Sequence, residues 1–173
     1  FGCEFEKELI DEPMLCRNKC VFCFMDQLPP NMRKTMYFKD DDVRLSFLEG
    51  NYVTLTNLSE ADIERICSLR VSPINVSVHV TDPALRCKML NNRFAGELLK
   101  IMRRFADAGI IMNGQIVLCR NLNDGEYLTR TIMDLREFYP NIQSVSIVPV
   151  GLSAYREGLF ELEPFDEKSS AEV

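Results

Sequence analysis

Three cysteines stand close together near the start of the chain: Cys16, Cys20 and Cys23 in the run CRNKCVFC, a Cys-x3-Cys-x2-Cys array. Thiolates ligate zinc and iron-sulfur clusters. Intervals of four and three residues span at most roughly 14 and 11 Å when extended, so a curled loop brings three sulfurs onto one small centre. A regular strand would send alternate side chains to opposite faces, so the array belongs on a loop. An iron-sulfur cube takes four thiolates, and three without an evident fourth suggest a cluster with one iron left open for chemistry. Structural zinc instead needs four nitrogen or sulfur ligands in a closed tetrahedron. The candidates for a fourth are Cys3, Cys67, Cys87, Cys119 and His79, none of them in a second Cys-x2-Cys pair. A ferredoxin-type electron carrier would want another cysteine soon after Cys23, where positions 26 and 27 are Asp and Gln. Arg17 and Lys19, between the first two cysteines, either favour the thiolate by lowering thiol pKa or are simply solvated charges.

With Phe22 immediately before the last cysteine, this loop resembles the cluster loop of the radical S-adenosylmethionine (SAM) superfamily. The segments CFMDQLPPNMR, RLSFLEGNYVTLTNLS, SPINVSVHVTDP, RCKMLNNRFAG and VPVGLSAYREGL resemble a narrower group within it. Those are bacterial iron-sulfur proteins in which a PDZ-like domain precedes the radical SAM core and a domain of unknown function follows it. The resemblance implies a [4Fe-4S] cluster on Cys16, Cys20 and Cys23, with the amino and carboxylate groups of SAM chelating the open iron. It implies reductive cleavage of SAM to a 5′-deoxyadenosyl radical that takes hydrogen from a substrate the motifs do not identify. As partners it implies a low-potential electron donor such as flavodoxin or ferredoxin, and the flanking domains of the parent chain. A non-catalytic iron-sulfur binding or sensing module and a structural zinc domain are the competing readings.

At 173 residues the chain suits one domain, which buries about 70% of its unfolded surface. Hydrophobic residues at 46% and charged ones at 27% are those of a soluble globular protein. Seven cysteines is an odd number and no secretory signal is visible, so a reducing cytoplasm fits better than a disulfide framework. No apolar run approaches the ~20 residues of a membrane span. A net charge of −6 argues against broad nucleic-acid binding, which depends on Lys and Arg neutralising phosphate. The opening Phe1 and the tail EPFDEKSSAEV read as a core excised from a longer chain.

A scaffold must hold the cysteine loop, and the pattern alternates strand and helix. Residues 3–10 predict a weak first strand carrying Glu4, Glu6 and Glu8, and NYVTLTN (51–57), after Gly50, a strong second one. Ser59 predicts a helix cap, with Asp62 completing a capping box and the helix running to about Leu69. INVSVHV (74–80) alternates as a strand. A helix is expected over 94–108, with Phe94, Leu98, Ile101, Met102 and Phe105 on one face and Gly109 as its stop. IIMNGQIVLC (110–119) is the next strand, interrupted by Gly114. Residues 124–138 carry Leu128, Ile132, Leu135 and Phe138 at helical spacing before Pro140, and VSIVPV (145–150) reads as a last buried strand. Strand-helix repeats imply parallel strands joined by right-handed crossovers. The fold class is therefore α/β, a partial, open β/α barrel, of the radical SAM type by the resemblance. Residues 1–36 hold the first strand and cluster loop, 37–150 the repeats, and 151–173 a tail or the start of the next unit. Five strands are expected, with a sixth unit missing or frayed.

Ligands in such sheets sit at the C-terminal ends of the strands. Thr54, Thr56 and Asn57 close the second strand where the superfamily usually carries a glycine-rich acidic motif for SAM, and TLTN offers hydroxyls and an amide instead. How the methionine amino group is held is thus left open, and a strand end turning into a helix cap explains the same residues. Ser77 and His79 share a face opposite Val76, Val78 and Val80, fitting either a barrel interior facing SAM or a structural histidine. By the resemblance Gln115 is a ribose contact and Phe22 a neighbour of adenine, with plain strand polarity and loop packing as the alternatives; Arg120 is either a bidentate partner for the SAM carboxylate, in the manner Arg favours, or a surface charge. Pro149, Gly151 and Tyr155 follow the last strand and would frame the adenine, or simply punctuate a strand end. The run KDDDVR (39–44) reads as a solvated charged face more readily than as an acidic site. Cys67, Cys87 and Cys119 sit among apolar residues as small hydrophobes.

Overall fold

A computed structural model describes residues 9 and 11–173; the strand expected over 3–10 lies, but for residue 9, outside the described residues. Four strands, β1 (Tyr52–Val53), β2 (Ile74–Ser77), β3 (Met112–Leu118) and β4 (Ile142–Pro149), form one sheet in the order β1-β2-β3-β4. Every neighbouring pair is parallel. Between them run α1 (Val43–Glu49, before β1), α2 (Glu60–Leu69), α3 (Pro83–Leu90), α4 (Leu98–Asp107) and α5 (Gly125–Arg136), and α6 (Glu167–Ala171) follows. The arrangement is a partial β/α barrel.

Helices α1, α2, α3 and α6 begin where the sequence supplies a capping side chain. Ser59 and Asp62 form the expected reciprocal capping box on α2, which satisfies two otherwise unpaired N–H groups. Three helices went unread in the sequence, α1, α3 and the short α6 in the tail. Asp42 caps α1 by accepting from the Arg44 N–H, and Asp82 caps α3 by accepting from the Leu85 N–H, with Pro83 as the first helical residue. The Asp-Pro signal was visible, but α1 hid inside a run read as solvated charge. Asp41 and Asp42 are each only 1% exposed, which corrects that reading. Asp42 loses its water to the Arg44 guanidinium and the backbone N–H groups of Met14 and Arg44.

Ile74, Val76, Met112 and Ile116 of the sheet pack with Ile63 of α2, Leu98, Met102 and Phe105 of α4, and Leu128 and Leu135 of α5. Full burial of each such side chain contributes ~1.5–3 kcal/mol. Phe94, expected on the buried face of the fourth helix, is 60% exposed, because 95–97 is a 3-10 turn and α4 starts only at Leu98. Ile132 is exposed too; Thr131 takes the inward position on α5 and accepts the Thr81 N–H. The last strand runs longer than expected and is mostly exposed rather than buried, since β4 pairs with β3 and has no second neighbour among the described residues.

Both expected strands at the ligand end are shorter than their sequence patterns. NYVTLTN pairs only at Tyr52 and Val53, because the Asp41 carboxylate takes the Thr54 N–H and Leu55 adopts φ +59°. INVSVHV leaves the ladder after Ser77: Val78 and His79 both donate to the Gln115 carbonyl, and His79 has φ +63°. Polar side chains capture backbone groups at these ends and turn the chain into the site.

Candidate functional site

The cysteine loop lies across the C-terminal ends of the strands, docked on α3. Lys19 and Val21 donate backbone N–H groups to the Leu90 and Met89 carbonyls, and Cys16 donates to that of Lys39. On the far side, the buried Gln27 side chain donates to the Gly151 carbonyl and accepts from the Ser153 N–H, tying the loop to the segment after β4. The loop is thus held by α3 on one side and by the segment after β4 on the other.

Beneath it is a cavity of about 570 Å³, lined among others by Cys16, Cys20, Cys23, Asp41, Thr54 and His79, a size within the roughly 300–1,000 Å³ of small-molecule sites. Phe22, Ser77 and Gln115 also line it, as do Pro149 and Gly151. Thr56 and Asn57 instead face a separate groove with Arg93 and Arg104. Arg120 lies outside the cavity, ion-paired to Asp166 at 3.2 Å and Glu163 at 3.8 Å. Tyr155 is half exposed and does not line the cavity.

Residues that drew no attention in the sequence support the cysteines. The Asn18 amide reaches Cys16 Sγ at 3.5 Å, Thr54 Oγ1 at 2.9 Å and Thr56 Oγ1 at 3.0 Å, and its carbonyl accepts from Asn92 at 2.7 Å. Thr54 passes the chain on to Asp41. Arg86, 1% exposed, donates to the carbonyls of Thr54, Ser77, Val78 and Ala95. One guanidinium therefore fixes the ends of two strands and the turn before α4, using the planar fork that only Arg provides. A lone Arg in a helix carries no sequence signal for such a role.

Burial raises the Cys20 thiol to about 12, with Cys23 and Cys16 adding to it and Arg86 and Lys39 opposing. Burial also raises Cys16, countered by hydrogen bonds from Asn18. Arg86 and Lys39 are the cations that oppose the rise at Cys20. His79 is buried with its ring 4.4 Å from that of Phe22, and Nδ1 accepts from the Val117 N–H at 3.1 Å. Burial, with Arg86 adding like charge, lowers its pKa to about 3. The ring is neutral, and because Nδ1 accepts, Nε2 carries the proton.

Among the described residues no three His, Cys, Asp or Glu side chains stand close enough to share a single metal ion. Cys67, Cys87 and Cys119 do not line the cavity. Thiolates that each bind a different corner of a cluster are spread more widely than ligands around one ion. The donor set of three thiols on one pinned loop, with no fourth thiol among the described residues lining the cavity and no grouping with His79 around a single ion, fits an iron-sulfur cluster with a free corner better than closed zinc.

A family model described as a radical SAM-like domain matches residues 1–145. No curated protein matches the sequence. Among solved structures, SuiB from Streptococcus suis is similar at 15% identity and a TM-score of 0.56, covering 92% of this chain and 42% of that one. SuiB bound to S-adenosylmethionine is similar at 16% identity and a TM-score of 0.51, covering 83% of this chain and 38% of that one. The chain thus spans less than half the length of these structures, and at such identity the likeness speaks for the fold.

Proposed function

For a chain that belongs to the radical SAM-like domain family, we propose a radical SAM iron-sulfur core in which Cys16, Cys20 and Cys23 hold a [4Fe-4S] cluster facing a SAM-binding cavity. The observation that carries this reading is the convergence of the three thiols on one 570 Å³ cavity at the strand ends, with no further thiol lining it. A SAM-bound structure among those of similar fold supports the choice of ligand. Cluster and SAM together supply reductive cleavage of the sulfonium and a carbon radical that takes hydrogen from substrate.

The chain's own residues bind, orient and exclude water. Cys16 keeps the Asn18 amide on its sulfur, which offsets thiolate charge. Phe22 and His79 form an aromatic wall, and His79, neutral with its proton on Nε2, offers a donor to the bound nucleoside. Ser77 and Gln115 line the same wall and serve as further nucleoside contacts. Thr56 acts through Asn18 rather than on the ligand, Asn57 braces the Asp41 backbone at 3.0 Å, and Arg120 holds the tail. Metal assembly at these half-buried thiols releases their protons.

A second opening exposes the cysteines to the outside among Arg17, Lys19 and Lys88, with Lys39 there paired to Asp26. That basic rim suits a low-potential acidic donor such as flavodoxin or ferredoxin. A PDZ-like domain before this core and a further domain after it are part of the same reading. The substrate is left to chemistry outside these residues.

Anaerobic reconstitution with iron and sulfide, reduction by dithionite and addition of SAM tests the reading. 5′-Deoxyadenosine is the expected product, lost in Cys20→Ala; SAM left intact beside a stable cluster points to a non-catalytic module.

A further inference from the structure

The strand end at 54–57 carries no acid of its own, yet the fold brings one there. Asp41, from the turn before α1, lines the cavity with Cys16, Cys20 and Cys23 and is 1% exposed. Its oxygens accept from the Thr54 N–H at 2.6 Å and the Thr54 hydroxyl at 2.5 Å. A carboxylate has about four lone-pair sites, so each oxygen keeps one free. Neighbouring acids are compensated: Asp26 pairs with Lys39, Asp42 with Arg44, and Asp40 accepts from the Asn51 amide. Asp41 forms no ion pair among the described residues. Arg86 acts on it only at a distance, its guanidinium being engaged by four carbonyls. Burying a carboxylate without a cation is costly, and a site that does so gains from a ligand that brings donors or positive charge.

We propose that Asp41 is the anchor for the α-amino group of SAM, accepting its N–H hydrogen bonds in place of an acid at the strand end. The inference rests on the SAM-binding reading above and assigns one contact within it. Asp41 then also sets which ligands are refused: an adenosine compound without an amino acid gains nothing from it.

Asparagine is compatible with the fold at this position. In Asp41→Asn the side-chain carbonyl would still accept the Thr54 N–H, while the Thr54 hydroxyl would turn to accept from the new amide and donate to Thr56 Oγ1, 2.9 Å away. Asp41→Ser, smaller and still an acceptor, is the second variant, and circular dichroism confirms which of the two is folded. Isothermal titration of the cluster-loaded chain, anaerobic and unreduced, measures binding of SAM and of 5′-methylthioadenosine, which lacks the amino acid. In a folded variant SAM binding is expected to weaken by ~10-fold or more, the size of one charge-assisted hydrogen bond, with 5′-methylthioadenosine within about twofold of wild type. Variants that bind SAM as wild type does overturn the assignment alone. A wild type that carries its cluster and binds neither ligand overturns it together with the SAM reading.

Discussion

His79 is the only histidine in the chain, and its pKa of about 3 in the fold compares with ~6.5 in an unfolded chain. As pH falls below ~6.5 the unfolded chain takes up a proton that the folded ring refuses until about 3, so this contribution to stability is intact above that window and lost through it. The imidazole carbon and nitrogen resonances should keep their neutral pattern down to about pH 4.5, and His79→Gln should flatten the fall of Tm with acid over that range. A ring that titrates near 6.5 contradicts the buried placement. Asn18 carries a second residue-scale expectation. Hydrogen bonds to cluster sulfurs raise the reduction potential, so Asn18→Ala should move it to a more negative value in an anaerobic redox titration followed by electron paramagnetic resonance. An unchanged potential removes Asn18 from the sulfur's surroundings. The cysteines were legible because spacing alone marks a metal-binding loop. Asn18 and Asp41 were not, since their roles depend on Thr54, 36 and 13 residues away in sequence.

Arg86 joins elements that sequence patterns treat separately: the end of β1, the end of β2, and the turn before α4. Arg86→Met would take a donor from four carbonyls, of which that of Val78 keeps the Val80 N–H, so at ~1–3 kcal/mol for each of the others a loss on the order of 3 kcal/mol or more is expected in urea unfolding. Arg86→Lys, a point charge that cannot fork, should recover only part of it. A loss near 1 kcal/mol would place those carbonyls in contact with water instead. The Ser59 capping box of α2, the apolar spacing of α4 and α5 and the apolar run of β3 were readable because they depend on local chemistry, whereas the Asp caps of α1 and α3 went unread. Strand ends were not, because at Thr54 and His79 a side chain or a neighbouring carbonyl competes with the ladder. Those two departures are what turn the strand ends into cavity walls.

For the molecule as a whole, the alternation of strand and helix was enough to expect a parallel, open β/α barrel, and the four-stranded sheet has that topology. The exposure of β4 escaped the sequence, because Ile147 and Val148 look like core residues until the sheet is seen to have no neighbour there among the described residues. No described helix is long and apolar enough to cross a membrane. What the architecture accomplishes is to pin one short loop on two sides, through α3 and through Gln27, so that three thiols overlook a single cavity. The central claim is that a corner of the cluster they hold is free to take SAM. Electron paramagnetic resonance of the reduced, reconstituted chain recorded with and without SAM tests it most directly. The account predicts a cluster signal whose g-values shift when SAM is added; a signal indifferent to saturating SAM, or a colourless protein binding one zinc, would contradict it.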